Sequence, residues 1–127
     1  MPSLLCVDDD LDQLNLYCFF FERTGFKVSL AHNGQEAVEM AQVTRPDLIL
    51  MDMMMPLKDG CQAAAEIKAN PNLAHIPIII FTAYQTSALA KQVAESGVEL
   101  VLSKTMLPQE LLVQVRDLLG TRASSAA

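Results

Sequence analysis

Pro46-Asp47-Leu48-Ile49-Leu50-Met51-Asp52-Met53-Met54-Met55-Pro56 carries a short apolar run that follows a proline and ends on an acid. A run this short and this rich in Ile and Leu, bracketed by breakers, reads as a strand buried on both faces. Such strands belong to parallel sheets, whose crossovers need a helix between one strand and the next. Working outward, the sequence supplies both parts. Similar apolar runs fall at residues 3–7, 27–31, 78–81 and 99–102, with this one at 47–51, and segments of helical period fill 11–24, 34–43, 60–69, 87–96 and 109–119. Five alternations of strand and helix predict an α/β fold, a doubly wound (βα)5 five-stranded parallel sheet with helices on both faces.

The punctuation agrees. Gly25 and Gly97 stand where helices end, and Pro46 and Pro77 precede the third and fourth strands. Pro108 suits the first turn of the last helix, where a missing N–H costs nothing. The expected organisation is one domain over residues 1–120 and a short flexible tail at 121–127, with no output domain.

Composition narrows the function. With a net charge of −6 and only nine Lys and Arg, spread along the chain, the protein lacks the clustered cations that direct nucleic-acid binding needs. Cys6, Cys18 and Cys61 are far apart and show no CxxC spacing, which favours reduced, buried thiols over a disulfide or a zinc site. Charge arrives too early at the N-terminus for a signal peptide, and no apolar run approaches the length of a membrane span. No membrane insertion is expected, and the localisation expected is cytoplasmic.

In an open parallel sheet the carboxyl ends of the strands form the ligand edge. There the first strand delivers Asp8-Asp9-Asp10, the third Asp52, the fourth Thr82 and the fifth Lys104. Asp10 reads as the N-cap of the first helix. Asp8, Asp9 and Asp52 together would repel one another unless a hard cation such as Mg²⁺ joined them. A carboxylate beside such an ion can act as a nucleophile toward a phosphoryl group, and Lys104 is placed to neutralise the equatorial oxygens.

These residues resemble the receiver domains of two-component response regulators, the CheY-like superfamily with its flavodoxin-like fold, over nearly the whole chain. The resemblance rests on Val7-Asp8-Asp9-Asp10, on Pro46 through Gly60 with Asp52 and the Met-Pro-Leu-Lys-Asp-Gly that ends it, on Ile78-Ile79-Ile80-Phe81-Thr82-Ala83, and on Leu102-Ser103-Lys104. It implies that Asp52 is the phosphoacceptor of a Mg²⁺-dependent phosphorelay, fed by a histidine kinase or histidine phosphotransfer protein and acting on a downstream protein. Asp9 and the Met54 backbone carbonyl would bind Mg²⁺ together with Asp52, with Asp8 acting mainly through water. Lys104 would pair with the phosphoryl oxygens, and Thr82, helped by the Ala83 backbone N–H, would move toward them as the switch. On this reading the chain is no enzyme, although slow autodephosphorylation, tuned by the bulky Met54 and Tyr84, is expected.

Three positions depart from the family's pattern. Val101 stands where an aromatic usually follows the threonine's movement, and Thr105 replaces the proline that usually follows the lysine, which puts a cis peptide there in doubt. Leu107 is a poor N-cap. The first helix is unusually apolar: Leu11, Leu14, Cys18 and Phe21 are expected to share its buried face, leaving Leu16 and Phe20 outward as a docking surface, with Thr105 and Met106 of the later loop.

Other classes fit less well. An aspartyl-nucleophile phosphatase typically has a second acid where Met54 stands, and a flavodoxin-like cofactor binder would not place three acids in its phosphate loop. A receiver-like scaffold acting without phosphorylation is kept open by Val101 and Thr105.

Overall fold

The structure is a computed structural model that describes residues 1–83 and 87–126, the side chains of 87–90 and 121–126 excepted. Its strands are β1 (Ser3–Val7), β2 (Lys27–Ala31), β3 (Leu48–Asp52), β4 (Ile78–Thr82) and β5 (Leu100–Ser103). They alternate with α1 (Leu11–Arg23), α2 (Gly34–Thr44), α3 (Gly60–Ala69), α4 (Ser87–Ser96) and α5 (Pro108–Ala126). All pairings are parallel and the order across the sheet is β2-β1-β3-β4-β5, so the strand order reverses between β1 and β3. The crevice at that reversal is where such sheets bind ligands.

Each central strand is buried on both faces and divides its side chains by the period of two. Leu5, Val7, Ile49, Met51, Ile78 and Ile80 pack with Ala37, Val38 and Ala41 of α2 and Ala63, Ala64 and Ile67 of α3. Leu4, Cys6, Leu48, Leu50, Ile79 and Phe81 pack on the opposite face with Leu14, Tyr17 and Phe21 of α1 and Leu111 and Val115 of α5. The small inner residues of α2 and α3 let those helices lie close to the sheet.

Helix ends follow their local chemistry. Asp10 caps α1, its carboxylate accepting from the N–H groups of Asp12 and Gln13, and Asp59 and Gln62 form a full capping box on α3. Gly25 (φ 100°) and Gly97 (φ 83°) adopt the left-handed conformation. At α5 the box is half built: Glu110 accepts from the Leu107 N–H at 3.0 Å, but Leu107 has no side-chain oxygen to answer with.

Several expectations need correction. α5 continues past Leu119 to Ala126, because Gly120 costs only about 1 kcal/mol relative to Ala and the residues beyond it are tolerable helix formers. Strands β3 and β4 extend to Asp52 and Thr82, which makes those polar residues the last members of their strands. β5 starts at Leu100, since the Glu99 carboxylate turns back to accept from the Ile78 N–H.

The buried face of α1 is also rotated from the expected one. Leu14, Tyr17 and Phe21 form it, while Leu11, in the first turn, is 58% exposed and Cys18 half-buried. Phe20 is half-buried against the α1 and α5 cluster and meets the Phe21 ring edge-on at 5.3 Å. The outward aromatic is Phe19, with the Arg23 guanidinium 4.7 Å above its ring.

Candidate functional site

β1, β3, β4 and β5 release their polar ends into one crevice because the parallel register aligns them. Val7 is level with Met51, Asp52 with Phe81, and Thr82 with Ser103, so the residues that follow converge above the sheet. Asp8 and Asp52 are almost wholly buried and Asp9 is exposed at the rim. The three carboxylates offer oxygens within 4.8 Å of one another.

Lys104 crosses to them from the end of β5. Its ammonium lies 3.0 Å from Asp52 Oδ1 and 3.1 Å from Asp8 Oδ2, and its backbone N–H donates to the Thr82 carbonyl at 3.0 Å. The other Asp8 oxygen accepts from the Asp10 N–H at 2.9 Å. The Met54 backbone N–H comes near enough to the Asp52 carboxyl to favour its charged form. Asp8 is therefore oriented by two donors, and Asp52 by the Lys104 ammonium.

One lysine does not satisfy the site. Burial and the neighbouring Asp8 charge push the Asp52 carboxyl up to about 6, even though Lys104 and the Met54 N–H pull the other way. Burial works against the Lys104 charge, but the Asp52 and Asp8 carboxylates outweigh it and raise the lysine above its ordinary value. Excess negative charge in an oxygen-only donor set at an open rim fits a hard divalent cation such as Mg²⁺.

Close backbone packing builds the floor. A Cβ at position 60 would meet the Asp52 carbonyl oxygen at 2.5 Å, so the start of α3 needs glycine to lie against the end of β3. Gly60 N–H donates to the Met53 carbonyl at 2.8 Å and Met53 N–H to Phe81 at 2.9 Å, locking the strand end that presents Asp52. Beneath the site Tyr17 stacks on Phe81 with ring centroids 5.8 Å apart.

The structure brings together Asp8, Asp9, Asp52 and Lys104, with Thr82 buried at the end of β4 and Ala83 exposed beside it. Met54 is 68% exposed at the mouth. Tyr84 lies outside the described residues. Val101 is half-buried against the α2 to α4 side of the core. Thr105 is exposed and its N–H donates to Ser103 Oγ at 3.2 Å; there is no cis peptide among the described residues, so Lys104-Thr105 is trans. Met106 is half-buried against the α1 and α5 cluster. Sequence reasoning missed Tyr17, Phe81 and Lys58. Lys58 had a visible signal, a cation after five apolar residues of the loop.

An acid pocket faced by a strand-end lysine lies at the switch point of an open parallel sheet, the edge at which doubly wound α/β domains bind their ligands. The sequence model of the response regulator receiver domain matches residues 4–116, and the chain belongs to that family of two-component signalling domains. It is 31% identical over 121 residues to the polar-differentiation response regulator DivK of Brucella anthropi, covering 94% of this chain and 98% of that one. The signal receiver domain of a signal transduction histidine kinase from Syntrophus aciditrophicus superposes with a TM-score of 0.90 at 30% identity, covering 95% and 92% of the two chains. A sensor histidine kinase receiver domain from Pseudomonas aeruginosa superposes at 0.87 with 29% identity, over 94% and 98%, and holds a magnesium ion coordinated in its active site cleft. Receiver domains are signalling modules that work with histidine kinases and downstream targets, and are not enzymes in the usual sense. Among the described residues no helix is long and apolar enough to cross a membrane.

Proposed function

We propose that this chain is the phosphoacceptor module of a phosphorelay, phosphorylated at Asp52 by a phosphohistidine donor, in a Mg²⁺-dependent reaction, to switch its protein interactions. The donor is a histidine kinase or histidine phosphotransfer protein. The observation that carries this reading is the Lys104 ammonium, held between Asp52 and Asp8 at 3.0 and 3.1 Å at the edge of a crowded acid pocket. An Asp52 oxygen attacks phosphorus, the P–N bond of the donor breaks, and its electron pair returns to the imidazole nitrogen, leaving an acyl phosphate on Asp52. Lys104, kept charged by its carboxylate neighbours, pairs with the equatorial oxygens.

Asp9, Asp52 and the Met54 carbonyl would hold Mg²⁺, with Asp8 acting through water; the ion supplies the positive charge that lets a phosphoryl group approach three carboxylates. Thr82 and the Ala83 N–H then bind the new phosphoryl group, and their movement is the switch. Val101 is too small to report that movement by a ring flip, so the output surface is reorganised along another path. The chain works in the cytoplasm without contacting nucleic acid.

Met54 stands over the site mouth, and together with Tyr84 it slows attack of water on the acyl phosphate. Met54→Asn is expected to shorten the phosphorylated state's lifetime, read as loss of label with time. The primary test is labelling by a small phosphodonor with and without Mg²⁺, wild type against Asp52→Asn. Metal-dependent label on the wild type alone is expected; equal label on both proteins refutes the assignment.

A further inference from the structure

We infer that Lys58 is a positioning residue for this site: its ammonium, held between Gln35 of α2 and Glu66 of α3, fixes the loop that carries the Met54 peptide away from the end of β3 beside Asp52. Its functional consequence rests on the phosphoacceptor reading, while the geometry does not. Residues 53–59 link β3 to α3 without helix or strand. Met53 and Gly60 are locked to the sheet and to each other, so the segment between them, which starts beside Asp52, must loop out and return.

That projection is strained. Leu57 has φ 70°, and the Lys58 N–H donates back to the Pro56 carbonyl at 2.9 Å. A two-residue hydrogen bond across a positive-φ residue is a γ-turn of the rare, unfavourable hand. Leu57 gains nothing by burial, being 79% exposed, so something else must hold the turn.

Lys58 supplies two short charge-assisted contacts to two different helices, 2.6 Å to Gln35 Oε1 and 2.6 Å to Glu66 Oε2. Its backbone is seated as tightly: a Cβ on Gly34 would run into the Lys58 carbonyl, so only glycine at the start of α2 lets the loop settle there. The next residue, Asp59, caps α3 and accepts from Gln92 of α4 at 3.3 Å. Partly exposed pairs add little to global stability, but a tether need only match the local opening of one loop. Released, the turn relaxes toward negative φ, and the Met54 peptide, whose N–H lies near Asp52 and whose carbonyl would face the metal, loses its fixed place.

The test compares Lys58→Met, Lys58→Arg and Lys68→Met, the last removing a multiply bonded ammonium at the opposite end of the sheet. Amide hydrogen exchange of Met54 is read without metal or donor, and Mg²⁺ affinity and Asp52 labelling rate with them. Lys58→Met is expected to speed Met54 exchange and weaken Mg²⁺ binding, each by about tenfold, the lower end for residues that support metal ligands. Lys58→Arg should stay within about twofold of wild type, and Lys68→Met should leave the Met54 amide and the Mg²⁺ affinity unchanged while lowering stability. The inference is overturned if Lys58→Met matches wild type in Met54 exchange and Mg²⁺ affinity, if arginine fails as badly as methionine, or if Lys68→Met moves the Met54 amide as far. A wild type that takes no label would remove the phosphoacceptor reading, and the Met54 exchange would still decide the tether.

Discussion

Replacing Asp52 by Asn should stabilise the fold, and the gain should depend on pH in a defined direction. In the folded protein the Asp52 carboxyl sits at about 6 against an ordinary value of 3.8. The folded state therefore binds this proton more tightly than the unfolded chain. A raised carboxyl pKa means no penalty below pH 3.8, a penalty that grows between 3.8 and 6, and a full penalty above. Two units at about 1.4 kcal/mol each give a ceiling of about 3 kcal/mol at pH 7.5. Asn removes that penalty, in which the attraction of Lys104 is already counted, but solvent reaching the crevice screens the charges and lowers the ceiling. A net gain of about 1–2 kcal/mol is expected, a shift of roughly 0.5–1 M in the urea midpoint.

The measurement is urea unfolding of both proteins from pH 4.5 to 8 in a chelating buffer. The difference between them, and not either curve alone, isolates position 52 from the other acids. It should fall toward zero as pH drops below 6. Saturating Mg²⁺ should close the gap at pH 7.5 by relieving the same repulsion in the wild type. A difference independent of pH, or an Asn variant less stable than wild type at pH 8, refutes the argument that unrelieved charge resides at this carboxylate.

Three further substitutions probe the surrounding architecture by the same unfolding measurement. Leu57→Gly should raise stability by about 0.5–1 kcal/mol, because relief of the γ-turn strain exceeds the entropy that glycine adds to the unfolded chain; an equal loss would deny the positive-φ turn. Lys68→Met should cost about 2–3 kcal/mol, since the ammonium donates to the Ala74 and Ile76 carbonyls and pairs with Glu99 at 2.7 Å; an unchanged midpoint would mean water replaces it without loss. Leu107→Asp should stabilise by about 1 kcal/mol by completing the box that Glu110 already half forms, and no gain would place the start of α5 elsewhere.

The reason some of this was readable in the sequence and some was not lies in the range of the interactions. Leu48 through Met51 announce a doubly buried strand because burial on both faces demands an apolar side chain at every position, and that demand is written in consecutive residues. Asp8, Asp52 and Lys104 were legible for a related reason: strand ends in a parallel sheet share one edge, so position along each strand fixes position in the site. The rotation of α1 was not legible. Its run Leu14 through Phe21 is apolar nearly all round, so periodicity could not choose between a face centred on Cys18 and one centred on Tyr17; the ring of Phe81 on β4 made the choice by stacking with Tyr17. Lys58 is harder again, because its partners Gln35 and Glu66 lie on two helices that only the finished fold brings together. The acids and the lysine define which reaction the site can support, and they are local enough to read. The loop that keeps their geometry depends on a strained turn, a glycine on another helix and an ion pair across two elements, none of which a run of consecutive residues announces.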